Sequence, residues 1–297
     1  MGVTKLAYYP GCASATHAID QEISTKAVFE KLGIELTELE DWNCCGAAEV
    51  EDPMLVYALN ARNLVIAERE GVDVATPCSI CFYNLARTDK VLKEDEGIRE
   101  KIRNIDSSLD YKGTIKARHT LDVIVSEVGL DEISGRLEKQ VAVKVAPYYG
   151  CYIGRPSEIG FDDPENPKSL DRLIELIGGE VVPFRPVNVR CCGGPLMMTK
   201  GDIAFEMARK ILETAKMEGA DCIVVACPLC HMMLDAKQPD IEEYFDIRIK
   251  MPVLYFTQLL GLALGIEPMK LALHQNIVPT NEIEEKVIDR VETVEEE

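Results

Sequence analysis

Short apolar runs alternate with longer segments of helical periodicity along the whole chain. The runs KLAYYP at 5–10 and VAVKVAPYY at 141–149 are rich in Val, Tyr and Ala, which predicts buried β-strands. The segment 15–33 instead places apolar residues at helical spacing and stops at Gly33, which predicts a helix. Strands that alternate with helices predict an α/β fold with a largely parallel sheet.

The same order of predicted elements occurs twice, and 297 residues are enough for two domains of ordinary size. The first half continues with a strand at 34–39, a helix at 52–71, a strand at 72–77 and a closing apolar helix at 118–130. The second half continues with a helix at 167–179, a strand at 180–184, a helix at 202–219, a strand at 220–227 and a closing apolar helix at 255–266. We therefore expect two similar domains, each with a small sheet flanked by helices, related by a pseudo-twofold axis.

The predicted domain boundaries follow this repeat. The first domain is expected to span residues 1–138 and the second residues 139–280. Residues 281–297 are strongly acidic, which predicts a tail that is either a solvated helix or a frayed end.

The charge and hydropathy of the chain exclude some classes of partner. The formal net charge is −19, so nucleic acid or an anionic membrane surface would be repelled at long range. The late apolar run at 259–266 is far shorter than the ~20 residues of a spanning helix. The first residues carry no apolar stretch behind a basic region. We expect a soluble cytoplasmic protein with neither a nucleic-acid nor a membrane partner.

Ten of the eleven cysteines follow one spacing pattern that is written twice. The first set reads C-x31-CC-x32-C-x2-C and the second reads C-x39-CC-x34-C-x2-C. In a reducing cytosol, cysteine clusters are more often metal ligands or catalytic thiols than structural disulfides. The first set is Cys12, Cys44, Cys45, Cys78 and Cys81, and the second is Cys151, Cys191, Cys192, Cys227 and Cys230.

Each cysteine set is expected to converge at one edge of its sheet. Parallel α/β sheets bind ligands at the carboxyl ends of their strands, and the double cysteines lie in loops just past predicted strands. Gly46, Gly193 and Gly194 follow the double cysteines and permit sharp turns with close approach of backbone N–H groups to a cluster. The cysteines that directly follow predicted strands are Cys12, Cys78, Cys151 and Cys227.

Several chemistries use clustered thiols. Structural zinc takes four ligands and usually pairs two short C-x2–4-C units, whereas each half has one. A cubane iron–sulfur cluster also needs four cysteines. Five thiolates, two of them adjacent, suit a larger or less regular iron–sulfur assembly. Buried inert cysteines would account for one or two thiols but not for a doubled set of five.

The doubled pattern resembles the paired cysteine-rich CCG domains in the B subunit of heterodisulfide reductase from methanogens. The resemblance covers the chain from Cys12 to Cys230, and both motifs are complete. Within the CCG superfamily the motif is shared with lactate- and glycolate-oxidising subunits and with some succinate or thiol:fumarate reductase subunits.

The resemblance implies that each five-cysteine set holds a 4Fe–4S cluster of the non-cubane type. It also implies an archaeal enzyme of methanogenesis, an oxidoreductase that reduces the mixed disulfide of coenzyme M and coenzyme B to two thiols. The catalytic residues would then include the double cysteines, Cys44 with Cys45 and Cys191 with Cys192. The alternatives are an iron–sulfur electron-transfer subunit of a lactate or glycolate oxidase-type complex, and a zinc-stabilised interaction module.

Electrons are expected to come from other subunits. CCGG lacks the G-x-G-x-x-G frame of a nucleotide site, and no ferredoxin-type C-x2-C-x2-C-x3-C run is present. The resemblance implies an electron-bifurcating complex with three kinds of partner. These are a ferredoxin-like iron–sulfur protein (the C subunit of heterodisulfide reductase), the flavoprotein that forms its A subunit, and a hydrogenase or formate dehydrogenase.

The remaining candidates are basic and histidine side chains near the second set. An anionic disulfide needs local positive charge, so Arg155, Arg190 and Lys200 are candidate substrate contacts. His231 directly follows the last cysteine of the set and is a candidate proton donor. Cys222 alternates with apolar residues in a predicted strand, which indicates a buried, inert thiol.

Overall fold

The fold contains two four-stranded parallel sheets with the same strand order. The computed structural model describes residues 4–47 and 50–290. In chain order the strands are β1 (Thr4–Tyr8), β2 (Ile34–Glu38), β3 (Val74–Thr76), β4 (Ala117–His119), β5 (Lys139–Val141), β6 (Lys144–Tyr148), β7 (Glu180–Val181), β8 (Cys222–Val225), β9 (Val253–Tyr255) and β10 (Val287–Asp289). The sheets have the orders β2-β1-β3-β4 and β7-β6-β8-β9. The predicted pair of similar α/β halves is confirmed.

Helices flank both sheets. In chain order the α-helices are α1 (Gly11–Ser14), α2 (Ile19–Lys31), α3 (Pro53–Glu70), α4 (Ser79–Glu94), α5 (Glu96–Ile105), α6 (Thr120–Asp122), α7 (Leu130–Arg136), α8 (Ser169–Leu176), α9 (Gly201–Met217), α10 (Pro228–His231), α11 (Gln238–Phe245), α12 (Phe256–Ala263) and α13 (Asn281–Glu284). Short 3₁₀ turns lie at Ser107–Leu109, Val187–Val189, Gly194–Leu196, Pro268–Leu271 and Leu273–Gln275, and π-helical turns lie at Val123–Gly129 and Met232–Ala236.

The central strands of each sheet are covered on both faces. β1 pairs with β2 and β3, and β6 pairs with β7 and β8, all in parallel. Every residue of β3 and β8 is buried, as is typical of parallel strands with helices on both sides. The predicted strands are confirmed, although the one predicted at 180–184 is reduced to the two residues of β7.

Helix α3 begins and ends where the sequence predicts. The Asp52 side chain accepts a hydrogen bond from the Met54 backbone N–H at 2.8 Å, and Pro53 at the first helical position has no N–H to satisfy. Gly71 ends the helix with φ +72°, a left-handed conformation that glycine adopts without steric cost.

The fourth strand of each sheet is missing from the sequence prediction. The segments 118–130 and 255–266 have helical periodicity, but their first residues belong to β4 and β9, and α6 continues into a π-helical turn. Three residues are too few to show the alternation of a strand. Pairing with β3 and with β8 makes these residues strands, a tertiary effect that local propensity does not reveal.

The two halves pack directly against each other through α2 and α12. The hydroxyl oxygens of Ser24 and Thr257 lie 2.8 Å apart in this buried contact. One apolar cluster continues across it, from Phe29 in the first half to Leu260 in the second. The predicted boundary after residue 138 therefore separates two sheets that share a core.

Residues 281–290 are part of the fold and not a free tail. β10 pairs antiparallel with β5, Ile283 of α13 is buried, and the Lys286 ammonium lies 2.7 Å from an Asp221 carboxylate oxygen. The expectation of a solvated or frayed tail is corrected for these residues, because strand pairing provides partners for their backbone groups. Residues 291–297 lie outside the described part of the chain.

Candidate metal centres

The cysteines of each half lie past the carboxyl ends of neighbouring strands. Cys12 and Cys78 follow the adjacent strands β1 and β3, and the first double cysteine follows β2. The second half repeats the arrangement with β6, β8 and β7. All eleven cysteines are free thiols.

The five thiols of the first set form a continuous series of contacts. Cys12 and Cys44 lie close enough for each to shift the pKa of the other, and Cys44 and Cys45 are related in the same way. The sulfurs of Cys45 and Cys81 lie 3.3 Å apart, and Cys81 also contacts Cys78. The predicted convergence of five thiols at one sheet edge is confirmed for this half.

The second set repeats this order of contacts. Cys151 and Cys191 lie close enough for each to shift the pKa of the other, and Cys191 and Cys192 are related in the same way. Cys192 contacts Cys230, which contacts Cys227. Only the outer thiols Cys12, Cys44, Cys151 and Cys191 are exposed or partly exposed, and the six inner ones are buried.

The two sets meet at their inner ends. Cys78 and Cys227, the first cysteines of the two C-x2-C units, lie close enough for each to shift the pKa of the other, and next to them the Ser79 hydroxyl donates to the Ala226 carbonyl oxygen at 3.3 Å. Ten thiols therefore form one series, symmetric about this contact. The sequence predicts two sets but not their junction, because residues 149 positions apart become neighbours only when the two halves pack.

Neighbouring thiols shift the pKa values of one another in opposite directions. The neighbouring Cys44 raises the pKa of Cys12, and Cys12 together with Cys45 lowers the pKa of Cys44. In the second half, the neighbouring Cys151 and Cys192 lower the pKa of Cys191. A thiol with a lowered pKa is held ready as the thiolate, the form that binds metal.

Backbone N–H groups also point at cysteine sulfurs. The N–H groups of Gly193 and Gly194 lie 3.4 Å from the sulfurs of Cys191 and Cys192. Gly46 and Gly193 adopt φ of +81° and +88°, which agrees with the predicted sharp turns. Gly194 has no positive φ, but a Cβ there would lie 2.4 Å from the Leu229 side chain.

The glycine that precedes the first cysteine of each set lets the backbone lie close to the sulfur of the last cysteine of that set. Gly11 and Gly150 both have positive φ. A Cβ on Gly11 would lie 3.2 Å from the Cys81 sulfur, and a Cβ on Gly150 would lie 3.3 Å from the Cys230 sulfur. The Gly-Cys dipeptide at the end of each first strand is the sequence signal for this contact, which sequence reasoning left unexplained.

A tyrosine holds each double-cysteine loop against its sheet. The Tyr9 hydroxyl donates to the Asn43 carbonyl oxygen at 2.9 Å, and the Tyr148 hydroxyl donates to the Arg190 carbonyl oxygen at 2.6 Å. Both acceptors directly precede a double cysteine. The matching sequences YYPGC and PYYGC place a tyrosine three residues before the first cysteine of each set. This repeat is the sequence signal for the two tyrosines, but it does not reveal their hydrogen bonds.

Replacing Tyr148 by phenylalanine is expected to destabilise the protein by about 1 kcal/mol, because a buried hydrogen bond is lost and the Arg190 carbonyl loses its donor. The loss should appear as a lower denaturant midpoint in unfolding curves followed by circular dichroism. Tyr244→Phe is the control, because Tyr244 is an exposed tyrosine of the same half. Equal midpoints for the two variants would contradict the bracing role.

A narrow cavity of about 20 Å³ opens beside the second cysteine set, with room for roughly one water molecule. Its wall is apolar and includes two residues of the first half, Ser79 and Ile80. A larger cavity of about 590 Å³ lies near Lys216 and Lys286, and none of its lining residues is a cysteine. The other lining residues of the narrow cavity are Tyr149, Cys151, Tyr152, Cys191, Cys192, Pro195, Cys227, Leu229 and Cys230.

None of the three basic residues predicted to contact substrate lines this cavity. The Arg155 guanidinium pairs with Glu165 at 2.8 Å and donates to the Pro164 carbonyl oxygen at 2.9 Å. Arg190 and Lys200 are exposed. A third bond, at 3.4 Å to the Val189 carbonyl oxygen, ties Arg155 to the segment before Cys191, so Arg155 braces two loops, and its contact with substrate stays a prediction.

His231 has the environment of a structural histidine. It is buried, its ring stacks on Tyr255 at 4.2 Å between centroids, and its Nε2 lies 3.0 Å from the Val253 carbonyl oxygen. Burial lowers the pKa of His231 to about 4. A neutral imidazole that is held under the thiols by a strand carbonyl is poorly placed to deliver protons, so the predicted donor role is not supported. Cys222 is buried within β8, as predicted.

Comparison with known proteins places this site in a family. The domain described as CCG, cysteine-rich domain, matches residues 6–86 and 145–235. Each match contains one complete five-cysteine set. The chain belongs to the CCG family. The doubled spacing of the cysteines is therefore a doubled CCG domain, as the sequence predicts.

Three relatives match this CCG protein over nearly their whole length. It is 35% identical, over 94% of its length and 99% of the relative's, to the 8-methylmenaquinol:fumarate reductase membrane anchor subunit of Wolinella succinogenes. It is 32% identical, over 97% of its length and 98% of the relative's, to the B subunit of the ferredoxin/F420H2-dependent CoB-CoM heterodisulfide reductase of Methanosarcina acetivorans. It is 31% identical, over 97% of its length and 99% of the relative's, to a protein of Archaeoglobus profundus described as similar to the heterodisulfide reductase B subunit.

A solved structure shares the fold. A hypothetical protein from Helicobacter pylori superposes with a TM-score of 0.76 at 13% identity, over 94% of this chain and 53% of that one. The CCG protein thus spans about half of that chain. Across the ranges that the structure describes, no helix has both the length and the apolar composition to cross a membrane.

The donors of the two CCG domains fit iron–sulfur ligation. Cysteine thiolates are the usual ligands of such clusters, and N–H groups directed at sulfur tune them. Each domain brings five thiols into one contact series with such N–H groups beside it. In the described ranges, no group of three or more His, Cys, Asp or Glu side chains is arranged around a single metal-ion position.

Proposed function

We propose that the chain is the disulfide-reducing subunit of a heterodisulfide reductase-type complex. The proposed ligands are the two five-thiol sets, each for one 4Fe–4S cluster of the non-cubane type. The observation that carries the proposal is the single series of ten thiols, in which two complete sets meet at Cys78 and Cys227. Relatives named as the B subunits of heterodisulfide reductases support it.

Two joined cysteine sets, each with one cluster, agree with the number of electrons that disulfide reduction needs. Bound iron–sulfur clusters supply electrons one at a time, whereas reduction of a disulfide to two thiols consumes two electrons and two protons. We assign the electrons to partner proteins, one ferredoxin-like and one a flavoprotein, and the protons to solvent. The heterodisulfide of coenzyme M and coenzyme B is the proposed substrate.

The residues of the chain itself shape the approach to the sets. The six inner thiols are buried, so substrate can enter only at the outer thiols such as Cys12, Cys151 and Cys191. The cavity beside the second set is apolar and narrow, which keeps bulk water from the inner sulfurs. Ser79 and Ile80 bring a helix of the first domain to that cavity, so both domains form its wall.

The test uses the isolated, cluster-loaded chain with reduced viologen as electron donor. We expect oxidation of two viologen molecules and release of two thiols for each mixed disulfide consumed, and roughly eight iron and eight sulfide per chain if both clusters are 4Fe–4S. Iron content is read by atomic absorption and cluster type by EPR. A colourless protein that lacks acid-labile sulfide and contains stoichiometric zinc would instead support the zinc-stabilised module.

The second candidate is an electron-transfer subunit in a fumarate reductase-type complex. The relative named as a methylmenaquinol:fumarate reductase subunit favours it. In that case the loaded chain leaves the disulfide unreduced, yet it exchanges electrons with a fumarate-reducing flavoprotein. A lactate- or glycolate-oxidising partner would give the same result with a different flavoprotein, so the same assay separates the three functions.

A further inference from the structure

Arg87 is a cation held by aromatic rings near the second cysteine set. Its guanidinium carbon lies 5.3 Å from the centre of the Tyr57 ring and 5.9 Å from that of Tyr83, within the range of cation–π attraction. Arg87 is only partly buried. No residue three or four positions away along α4 is acidic, and no salt bridge between described residues uses it.

The ring that holds Arg87 reaches across the domain interface. Tyr83 of the first domain stacks on Tyr152 of the second, with 4.6 Å between ring centres and an angle of 27°. Tyr152 directly follows Cys151 and lines the narrow cavity. The stacked tyrosines therefore connect the cation to the second cysteine set.

One face of helix α4 leads from the cavity to the cation. Ile80, Tyr83 and Arg87 are spaced three and four residues apart, so they lie on the same side of the helix. Ile80 lines the cavity, Tyr83 stacks at its edge, and Arg87 lies one turn further. The distance along the helix from Ile80 to Arg87 is about 10 Å, the reach of a short flexible substrate arm.

The second domain has no counterpart of this arrangement. Counted from the last cysteine of each set, the positions of Tyr83 and Arg87 are occupied in the second domain by Met232 and Ala236. Counted from the first cysteine, Tyr152 corresponds to Ala13. A feature needed for folding alone would be expected in both copies of the domain. The presence of Arg87 in only one copy therefore indicates a function that the two domains do not share.

We propose that Arg87, held between Tyr57 and Tyr83, binds an anionic group at one end of the substrate. The inference rests on the proposed function, and it adds that the disulfide lies in one orientation. Cation–π contact with the tyrosine rings uses none of the guanidinium N–H donors, and the planar fork of an arginine suits two parallel hydrogen bonds to a sulfonate, phosphate or carboxylate. Arg87 is then a substrate-positioning residue for an unsymmetrical disulfide with an anionic end.

The test compares Arg87→Gln and Arg87→Lys with the wild type in the viologen assay. For the anionic mixed disulfide we expect KM to rise roughly tenfold to a hundredfold in Arg87→Gln, because a charged hydrogen-bond pair is lost. Arg87→Lys keeps the positive charge but lacks the planar guanidinium group, so its KM should lie between those of the wild type and Arg87→Gln. For the neutral bis(2-hydroxyethyl) disulfide all three proteins should have similar KM.

Lys90→Gln is the matched control, because Lys90 is a cation one turn further along α4 that is paired with Glu94. It should leave both KM values unchanged, and iron content and thermal midpoint report whether any variant is misfolded. A separate calorimetric titration with 2-sulfanylethanesulfonate should show binding to the wild type and roughly tenfold weaker binding to Arg87→Gln.

The outcomes separate this inference from the proposed function. If the wild type reduces neither disulfide but its affinity for the sulfonate depends on Arg87, the anion site stands and the proposed function fails. An equal KM for the anionic disulfide in wild type and Arg87→Gln, with equal sulfonate affinity, overturns the anion site even when the enzyme is active. A similar rise in KM for both disulfides in Arg87→Gln also overturns it, because that indicates a structural role.

Discussion

Replacing both Cys191 and Cys192 by alanine is expected to reduce disulfide reduction to background and to remove about half of the bound iron. The two thiols lie in the middle of the second series of contacts, between Cys151 on one side and Cys230 on the other. Their loss leaves three thiols in that half, fewer than an iron–sulfur cluster of this size normally uses. The first set keeps all five thiols and should keep its own EPR signal.

Cys222→Ala provides the matched control for this variant. Cys222 lies in the same half but is buried in β8, outside the series of ten thiols. Its replacement should keep full iron content and activity, with a stability loss of only about 1 kcal/mol from the small cavity. Full turnover by the Cys191 and Cys192 double variant would refute the requirement for two complete sets, and loss of all iron would show that one set cannot assemble alone.

The Gly193→Ala substitution is expected to lower the free energy of unfolding by about 3 kcal/mol. Gly193 has φ +88°, where an L-residue is strained, and a Cβ there would lie 2.8 Å from the backbone Cα and O atoms of Ala204. The clash is with the first turn of α9, which cannot rotate away as a side chain would. We also expect loss of second-set iron, because the loop that carries Cys191 has to move.

Gly219→Ala separates the conformational strain from the clash. Gly219 has φ +74° but a Cβ there would have no atom within 4 Å, so its replacement should cost about 1 kcal/mol. Urea unfolding curves of the two apo variants give the difference, and iron analysis gives the effect on the site. Equal destabilisation of both variants would show that close packing of the turn on α9 is unimportant.

Most of the fold was predictable because its signals are local. Apolar runs and helical periodicity predict β1, β3, β8, α3 and α9, and Asp52 and Gly71 mark the ends of α3. β4 and β9 escaped prediction because each has three residues inside a segment of helical pattern. The acidic composition after residue 280 suggested a free tail, but pairing of β10 with β5 depends on a strand more than 140 residues away.

The cysteines of the candidate site were predictable, but their surroundings were not. Cysteine spacing is an explicit sequence signal, and each set converges as predicted. Arg155 and His231 were chosen for closeness in sequence, yet Arg155 is paired with Glu165 and His231 is held by the Val253 carbonyl. Arg87 is distant in sequence from the second set and reaches its vicinity through the stacking of Tyr83 on Tyr152.

The sequence alone determined that two copies of one α/β domain each bring five thiols to a sheet edge, because strand order and cysteine spacing are written along the chain. Only the tertiary structure decided that Cys78 meets Cys227, so that the two sets form one series. It also decided which cation lies near the thiols. The physical reason is that both relations arise where the two halves pack together, and contacts across that interface leave no periodic pattern in either half.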